Sequence, residues 1–399
     1  VEAHAEHIHH HHHHDDVEVN PAAWTDGKRY AWLLGIIVPL SPFLAFFWVW
    51  ATGWGGMWFL GPALVFGLFP LLDMVIGIDR TNPPDSVLKF LEQDRYYRWC
   101  TYVFIPIQYA GLVFACWMWS RGDLSLVESI GLALTMGVVG GIAINTAHEL
   151  GHKRASSEKW LSRIALAQTG YGHFFIEHNR GHHVKVATPE DPASSRLGES
   201  FWAFLPRTVV GSVRSAWEIE TARLDRLGKS HWGIHNDILG AWAMTIVLFA
   251  GLGIAFGAVV LPYLLVQAVI GFSLLEVVNY LEHYGLLRQK REDGRYERCM
   301  PEHSWNSNNV ASNVLLYHLQ RHSDHHANPT RRYQALRNVD EAPQLPTGYA
   351  GMIVLAWFPP LWRRVMDPRL LDHYGGDVTK CNIQPRRLGR VLERYGRVA

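Results

Sequence analysis

The chain has 399 residues, of which 48% are hydrophobic and only 18% charged, and its formal net charge is +1. That apolar content excludes a disordered chain, near-neutrality argues against a nucleic-acid binder, and four scattered cysteines (Cys100, Cys116, Cys299 and Cys381) exclude a disulfide scaffold. Length alone leaves a soluble two-domain enzyme open.

The elements in chain order withdraw that reading. Residues 1–20 carry His4, His7 and the run His9–His14; they read as a tag-like, disordered terminus and are kept out of fold reasoning. Residues 21–399 read as a single membrane-embedded domain. Tyr30–Leu72 has no Asp, Glu, Lys or Arg over 43 residues, room for two spans at about 20 residues each. These are expected over 31–52 and 57–78. Trp99–Ser120 and Ser129–Ala147 are again charge-free and predict spans at 99–120 and 127–147. Ile238–Leu275, 38 residues without charge, predicts two more at 238–257 and 260–280. The apolar run Tyr349–Trp362 is only 14 residues long and contains Pro359-Pro360, so it is expected at the membrane interface rather than across it.

Loop charge sets the expected topology. The loops near Gly55 and Phe256 carry no Lys or Arg, whereas 148–237 and 281–399 are rich in Arg. The positive-inside rule then places both termini and both large segments in the cytoplasm. No cleavable signal peptide is expected. Trp24, Trp50, Trp54, Trp58, Trp99, Trp117 and Trp119 fall near predicted span ends, as an aromatic belt does.

Outside the tag-like run, 15 histidines remain, and most cluster where the membrane ends. His148 and His152 are spaced i, i+4 and share a helix face. In His178-Asn-Arg-Gly-His182-His183, regular helical geometry puts 178 and 182 together and turns 183 about 100° away. His322, His325 and His326 are expected on one face, and His283 lies just past the sixth span. Nine imidazoles are more than one tetrahedral metal uses. Imidazole ligands without a thiolate motif, in numbers for two ions, favour iron over redox-inert zinc. Glu149, Glu177, Glu282 and Asp324 are candidates to receive the second ring N–H of a ligand. His173 and His318 read as supporting residues, and His231, His235, His303 and His373 as surface. Asp73 and Glu276 fall inside predicted spans, where acids are functional by default unless they snorkel to the interface.

The strings Asn145-Thr-Ala-His-Glu-Leu-Gly-His-Lys153, Glu177–His183, Asn279-Tyr-Leu-Glu-His-Tyr-Gly285 and Leu319-Gln-Arg-His-Ser-Asp-His-His326 resemble the bacterial alkane 1-monooxygenases, membrane alkane hydroxylases within the integral-membrane fatty acid desaturase and hydroxylase superfamily. The resemblance runs from about residue 20 to about 390, and the Asn279 string, which general desaturases lack, is the most discriminating. It implies an all-α integral membrane protein, six transmembrane helices under a cytoplasmic helical cap holding a histidine-rich di-iron site. It implies an oxidoreductase of the bacterial inner membrane. Such an enzyme inserts one atom of O2 into the terminal methyl of a medium-chain n-alkane, with electrons from NADH through rubredoxin reductase and rubredoxin. The ligand set it implies is His148, His152, His178, His182, His183, His283, His322, His325 and His326. No C-terminal CxxC pair is present, so a fused rubredoxin is not expected.

Two expectations follow for the substrate and the electron donor. Alkanes dissolve in the bilayer, so a route through the spans is expected, with Leu64, Val65, Leu68 and Leu71 on one face of the second span as a candidate wall. Rubredoxins of this family's systems are typically acidic, and the Arg and Lys of the large segments would steer one. Hydroxylation of an aromatic methyl group, as in xylene monooxygenase-like relatives, acyl-chain desaturation and a membrane metal transporter stay open as alternatives.

Overall fold

The computed structural model describes residues 23–396; the tag-like terminus expected over 1–20 lies outside the described residues. Among the described residues, six helices are long and apolar enough to cross a membrane: Ala31–Thr52, Gly55–Ile76, Arg95–Ser120, Leu126–Gly151, Asp237–Phe256 and Val260–Glu282. They are called the first to sixth spans below. Their bounds follow local chemistry. The first span stops at Gly53, whose left-handed φ of 68° ends the helix. Ser125 and Glu128 cap the start of the fourth reciprocally. Asn236 caps the fifth by accepting from the N–H groups of Ile238 and Leu239 at 2.9 and 3.1 Å.

The fourth span is the axis of the bundle, and small residues let the sixth approach it. A Cβ on Gly141 would lie 2.7 Å from Leu274 Cδ2 and 3.0 Å from the Gly271 carbonyl, and one on Gly137 would meet Ile270. This is the close backbone approach that replaces hydrophobic driving force between helices in lipid.

The segment 148–237 does not all lie beyond the span ends. Helix Ser156–Ala167 folds back along the fourth span: Ser162 donates to the Ala147 carbonyl at 2.6 Å, and Gln168 to the Met136 carbonyl at 3.3 Å. Thr169, beyond the helix, packs where Gly140 and Gly271 leave room. Irregular backbone at membrane depth must be enclosed by protein, and three buried glutamines enclose it. Gln108 donates to Gln168 Oε1 at 2.7 Å, and Gln168 to Gln267 Oε1 at 3.0 Å. Gln267 in turn donates to the Gln168 carbonyl at 2.9 Å.

The run 349–362 also departs from expectation. Helix Tyr349–Ala356 packs inside rather than lying flat: Tyr349, Ala350, Met352, Ile353 and Ala356 are buried. It descends beside the second span, from Gly348 against Asp73 to Trp357 against Phe66. Helix Pro359–His373 returns toward the end of the sixth span.

Asp73 and Glu276 do not snorkel. Asp73 accepts from the backbone N–H of Ser312 at 2.9 Å and from its hydroxyl. Glu276 accepts from Tyr171, Thr208 and Asn279 at 2.6, 2.9 and 3.1 Å. Both are buried carboxylates that fasten segments outside the spans to a span.

A candidate metal centre of nine histidines

All nine histidines named above meet at the end of the bundle where the fourth and sixth spans finish. Their ring nitrogens form two groups. His148, His152, His178, His183 and His325 make one, and His182, His283, His322 and His326 the other; within each group one nitrogen per ring lies within 4.8 Å of the rest. The groups abut, with the rings of His183 and His326 4.4 Å apart.

This partition differs from the sequence reading, and the backbone explains why. Glu177–His182 is a π-helix, whose i→i+5 turn is wider than an α-turn. It brings residues five apart together, so His178 and His183 face each other at 3.1 Å between Nε2 atoms, while His182 joins the other group. The third histidine box, His322–His326, also divides. His322 and His326, one α-turn apart, have their Nε2 atoms 2.8 Å from each other, and His325 reaches across to His148 and His152.

The donor chemistry fits metal ions. Nε2 of His148, His152 and His325 is buried without a hydrogen-bond partner. Burial first, and then neighbouring imidazoles, hold His152, His178, His183, His322, His325 and His326 well below the ordinary imidazole value; burial takes His283 down to about 3. Ring nitrogens of neighbouring imidazoles converge at 2.8–3.2 Å, and with their neutral lone pairs turned inward that spacing offers a cation several nitrogen donors at once. An all-nitrogen set suits iron, copper, nickel or zinc.

Outer partners set the ring orientations. His322 Nδ1 lies 2.6 Å from Glu282 Oε2, and His283 Nδ1 lies 2.9 Å from the His303 carbonyl. His182 Nδ1 lies 2.6 Å from Asp191 Oδ2. Burial opposes charge on His182, but Asp191 overcomes it and raises the imidazole above its usual value. Of the four acids expected to serve this way, only Glu282 lies beside a ring nitrogen of the nine, that of His322. Glu149 takes Lys153 at 3.1 Å and the Tyr333 N–H at 3.1 Å. Asp324 takes both Arg331 contacts at 2.9 Å and the N–H of Arg337. Glu177 turns toward Gly181 and Ser215, where burial raises its carboxyl to about 7.

Sequence reasoning missed Asp191, whose signal is its place eight residues beyond His183 in Glu190-Asp191-Pro192. It also missed Arg321. That buried guanidinium donates to the carbonyls of Leu336, Asp79 and Thr81 and holds the turn that starts the third box.

The remaining histidines sort by burial. His173 reaches Ser212 at 3.3 Å, and His318 sits between Lys28 Nζ at 3.0 Å and the Tyr333 carbonyl at 2.7 Å; both lie outside the two groups. His303 is buried, not at the surface, because its carbonyl and ring brace His283 and the Glu297 loop. The wall expected along the second span breaks in two. Leu64 and Val65 point inward at 9% and 1% exposure, and Leu68 and Leu71 point outward at 42% and 59%. Another π-turn, over Leu64–Leu68, shifts the register between them.

The fatty acid desaturase family profile matches residues 125–356. The chain is 48% identical to alkane 1-monooxygenase 1 of Alcanivorax borkumensis, over 94% of this chain and 92% of that one. It is 49% identical to the alkane 1-monooxygenase of Acinetobacter baylyi, over 93% and 92%. A more distant match, 27% identical over 80% of this chain and 84% of the other, is a xylene/toluene monooxygenase hydroxylase component of Pseudomonas putida. The chain therefore belongs to the alkane 1-monooxygenase family, membrane oxidoreductases of the fatty acid desaturase superfamily.

Proposed function

We propose that this protein hydroxylates the terminal methyl of medium-chain n-alkanes at a di-iron centre held by the nine histidines. The observation that carries it is the pair of abutting all-histidine groups at one end of an apolar six-helix bundle. The reaction balances as alkane plus O2, two electrons and two protons giving 1-alkanol and water. Two irons, when bound, supply the redox chemistry that dioxygen cleavage demands and that acid–base groups cannot.

The chain's own residues do the rest. The five-histidine group would hold one ion and the four-histidine group the other, with Asp191, Glu282 and the His303 carbonyl fixing three of the rings. Burial of six of the nine histidines, His148, His178, His182, His283, His322 and His325, would keep water from the reacting carbon. A methyl group offers no polar handle, so it is placed by apolar contact along the chain, worth about 0.8 kcal/mol per buried methylene. Leu64 and Val65 are the inward side chains of the second span suited to that contact.

Electrons would come from rubredoxin, reduced by NADH through rubredoxin reductase. The Arg-rich segments support docking on the cytoplasmic face of a bacterial inner membrane. Metal quantification with a rubredoxin-coupled octane assay tests the reading. The expected outcome is two irons per chain and 1-octanol; a protein carrying zinc alone, or full activity after His322→Ala, overturns it. Product analysis on xylene separates the aromatic-methyl alternative that the 27% relative raises. Ligand groups at the bundle's end, not its mid-depth, disfavour transport.

A further inference from the structure

The helical hairpin formed by Tyr349–Ala356 and Pro359–His373 has a tip and a shoulder of opposite chemistry. At the tip, Phe358 and Leu361 are 53% and 49% exposed, and Trp202 beside them is 55% exposed. Trp202 Nε1 donates to the Trp357 carbonyl at 3.0 Å, which ties helix Phe201–Arg226 to the tip. Trp357 packs on Phe66, halfway along the second span, with ring centroids 4.8 Å apart. The tip therefore lies within the apolar zone that the spans define. One turn later the chain is back at the end of the sixth span, because Trp362 packs on Tyr280 and Tyr284 at 5.0 and 5.3 Å.

Arginines begin at that level. Arg363 and Arg364 follow Trp362, and the last described helix, Leu388–Tyr395, adds Arg390 and Arg394, with Arg387 just before it. This helix is pinned to the hairpin by Asp367, whose two oxygens accept from Tyr284 at 2.8 Å and Tyr395 at 2.6 Å. Its other side chains include the exposed Leu388 and Leu392, so it is basic and amphipathic. Between the two helices run adjoining clefts of about 410 and 320 Å³. Arg363 and Arg394 line both, Arg364 the first, Arg387 and Arg390 the second. Among the described residues, none of these five guanidiniums makes a hydrogen bond or ion pair. Asp367 faces the second cleft with both oxygens already engaged.

We propose that these clefts bind the headgroup of an anionic phospholipid, with its acyl chains against the exposed tip formed by Phe358, Leu361 and Trp202. Unpaired arginines at the level where a span leaves the apolar zone, next to exposed apolar side chains deeper in, match a phosphate with hydrocarbon attached. A soluble acidic protein would use the arginines but leave the apolar tip without a role. The site is continuous with the bundle's lipid-facing surface, which supplies the occupant. Through Asp367 and Tyr284 it is also tied to the turn that carries His283.

Native mass spectrometry of the full chain in a nonionic detergent, titrated with phosphatidylglycerol or phosphatidylcholine, tests this. The wild type should retain phosphatidylglycerol at least ~10-fold better than phosphatidylcholine, and Arg363→Gln/Arg364→Gln/Arg394→Gln should erase that preference. The matching triple Lys variant should keep most of it, and Arg291→Gln/Arg295→Gln, at residues that line neither cleft, should keep all of it. If the triple Gln variant does not fold, Arg364→Gln/Arg394→Gln, both at exposed side chains, reads the same loss. Equal retention of the two lipids by the wild type, or an undiminished preference in the Gln variants, overturns the proposal. Gln variants that keep the lipid preference but lose binding to an acidic electron-donor protein would make the patch a protein-docking surface instead.

Discussion

His178 and His183 face each other across five residues, Nε2 to Nε2 at 3.1 Å, because the backbone between them is a π-helix. In an α-helix the partner of His178 would be His182. The wider turn sends His182 to the other group, where it meets Asp191. One short segment thereby contributes to both halves of the centre and sets how close they come.

That partition makes a prediction. His178→Ala and His183→Ala should each strip the ion from the five-histidine group, and His182→Ala the ion from the four-histidine group. Metal content then falls by about half in all three, since a ligand set short of one member binds far more weakly. Mössbauer spectra should separate them: the first two variants share one residual iron signal and the third shows the other. The same residual signal in all three would contradict the division.

The spans were legible because charge-free runs have one stable solution in lipid, and the histidines because their spacing is rare by chance. What stayed hidden was backbone. A π-turn leaves no mark in a 3.6-residue pattern, so the pairing of His178 with His183 and the outward swing of Leu68 and Leu71 were both misread. Helix Ser156–Ala167 was hidden for another reason. It carries Glu158, Lys159 and Arg163, which read as cytoplasmic, yet Glu158 is buried under Arg332 through two 2.8 Å contacts. Asp191 was hidden because a loop residue has no periodicity to betray its direction.

The second span offers a test of the substrate route. Val65→Trp places a large ring on the inward face and should shorten the longest alkane accepted. Each methylene denied its place costs about 0.8 kcal/mol, roughly fourfold in binding. Leu68→Trp and Leu71→Trp add their bulk on the outer surface and should leave the chain-length profile unchanged. Product yields across hexane to hexadecane decide; a profile shifted equally by all three would restore the four-residue wall.

The glutamine lock predicts an asymmetry in stability. Gln168→Met removes the central member and leaves the buried amides of Gln108 and Gln267 short of partners. Each such orphan costs about 1–3 kcal/mol, so thermal unfolding in detergent should begin several degrees lower. Replacing all three with Met or Leu removes the orphans together and should cost less than the single change. A triple variant weaker than the sum of three singles would show that shape, not hydrogen bonding, holds the turn after Ala167.

Two aspartates near the centre should behave differently despite similar burial. Asp191 meets a ring nitrogen of His182 at 2.6 Å and is itself fixed by the Ser194 hydroxyl at 2.6 Å. Asp191→Asn keeps the shape but removes the charge that holds His182 in its orientation, so metal affinity should fall roughly 10–100-fold. Asp324 meets no imidazole; it clamps Arg331 and the N–H of Arg337. Asp324→Asn should lower unfolding stability by about 1–3 kcal/mol and leave metal affinity close to that of the wild type. Competitive chelator titration of each purified variant, paired with its melting curve, distinguishes the two roles. If Asp324→Asn loses metal as steeply as Asp191→Asn while melting normally, the outer support of the centre runs through the third-box turn rather than through the Asp191 loop.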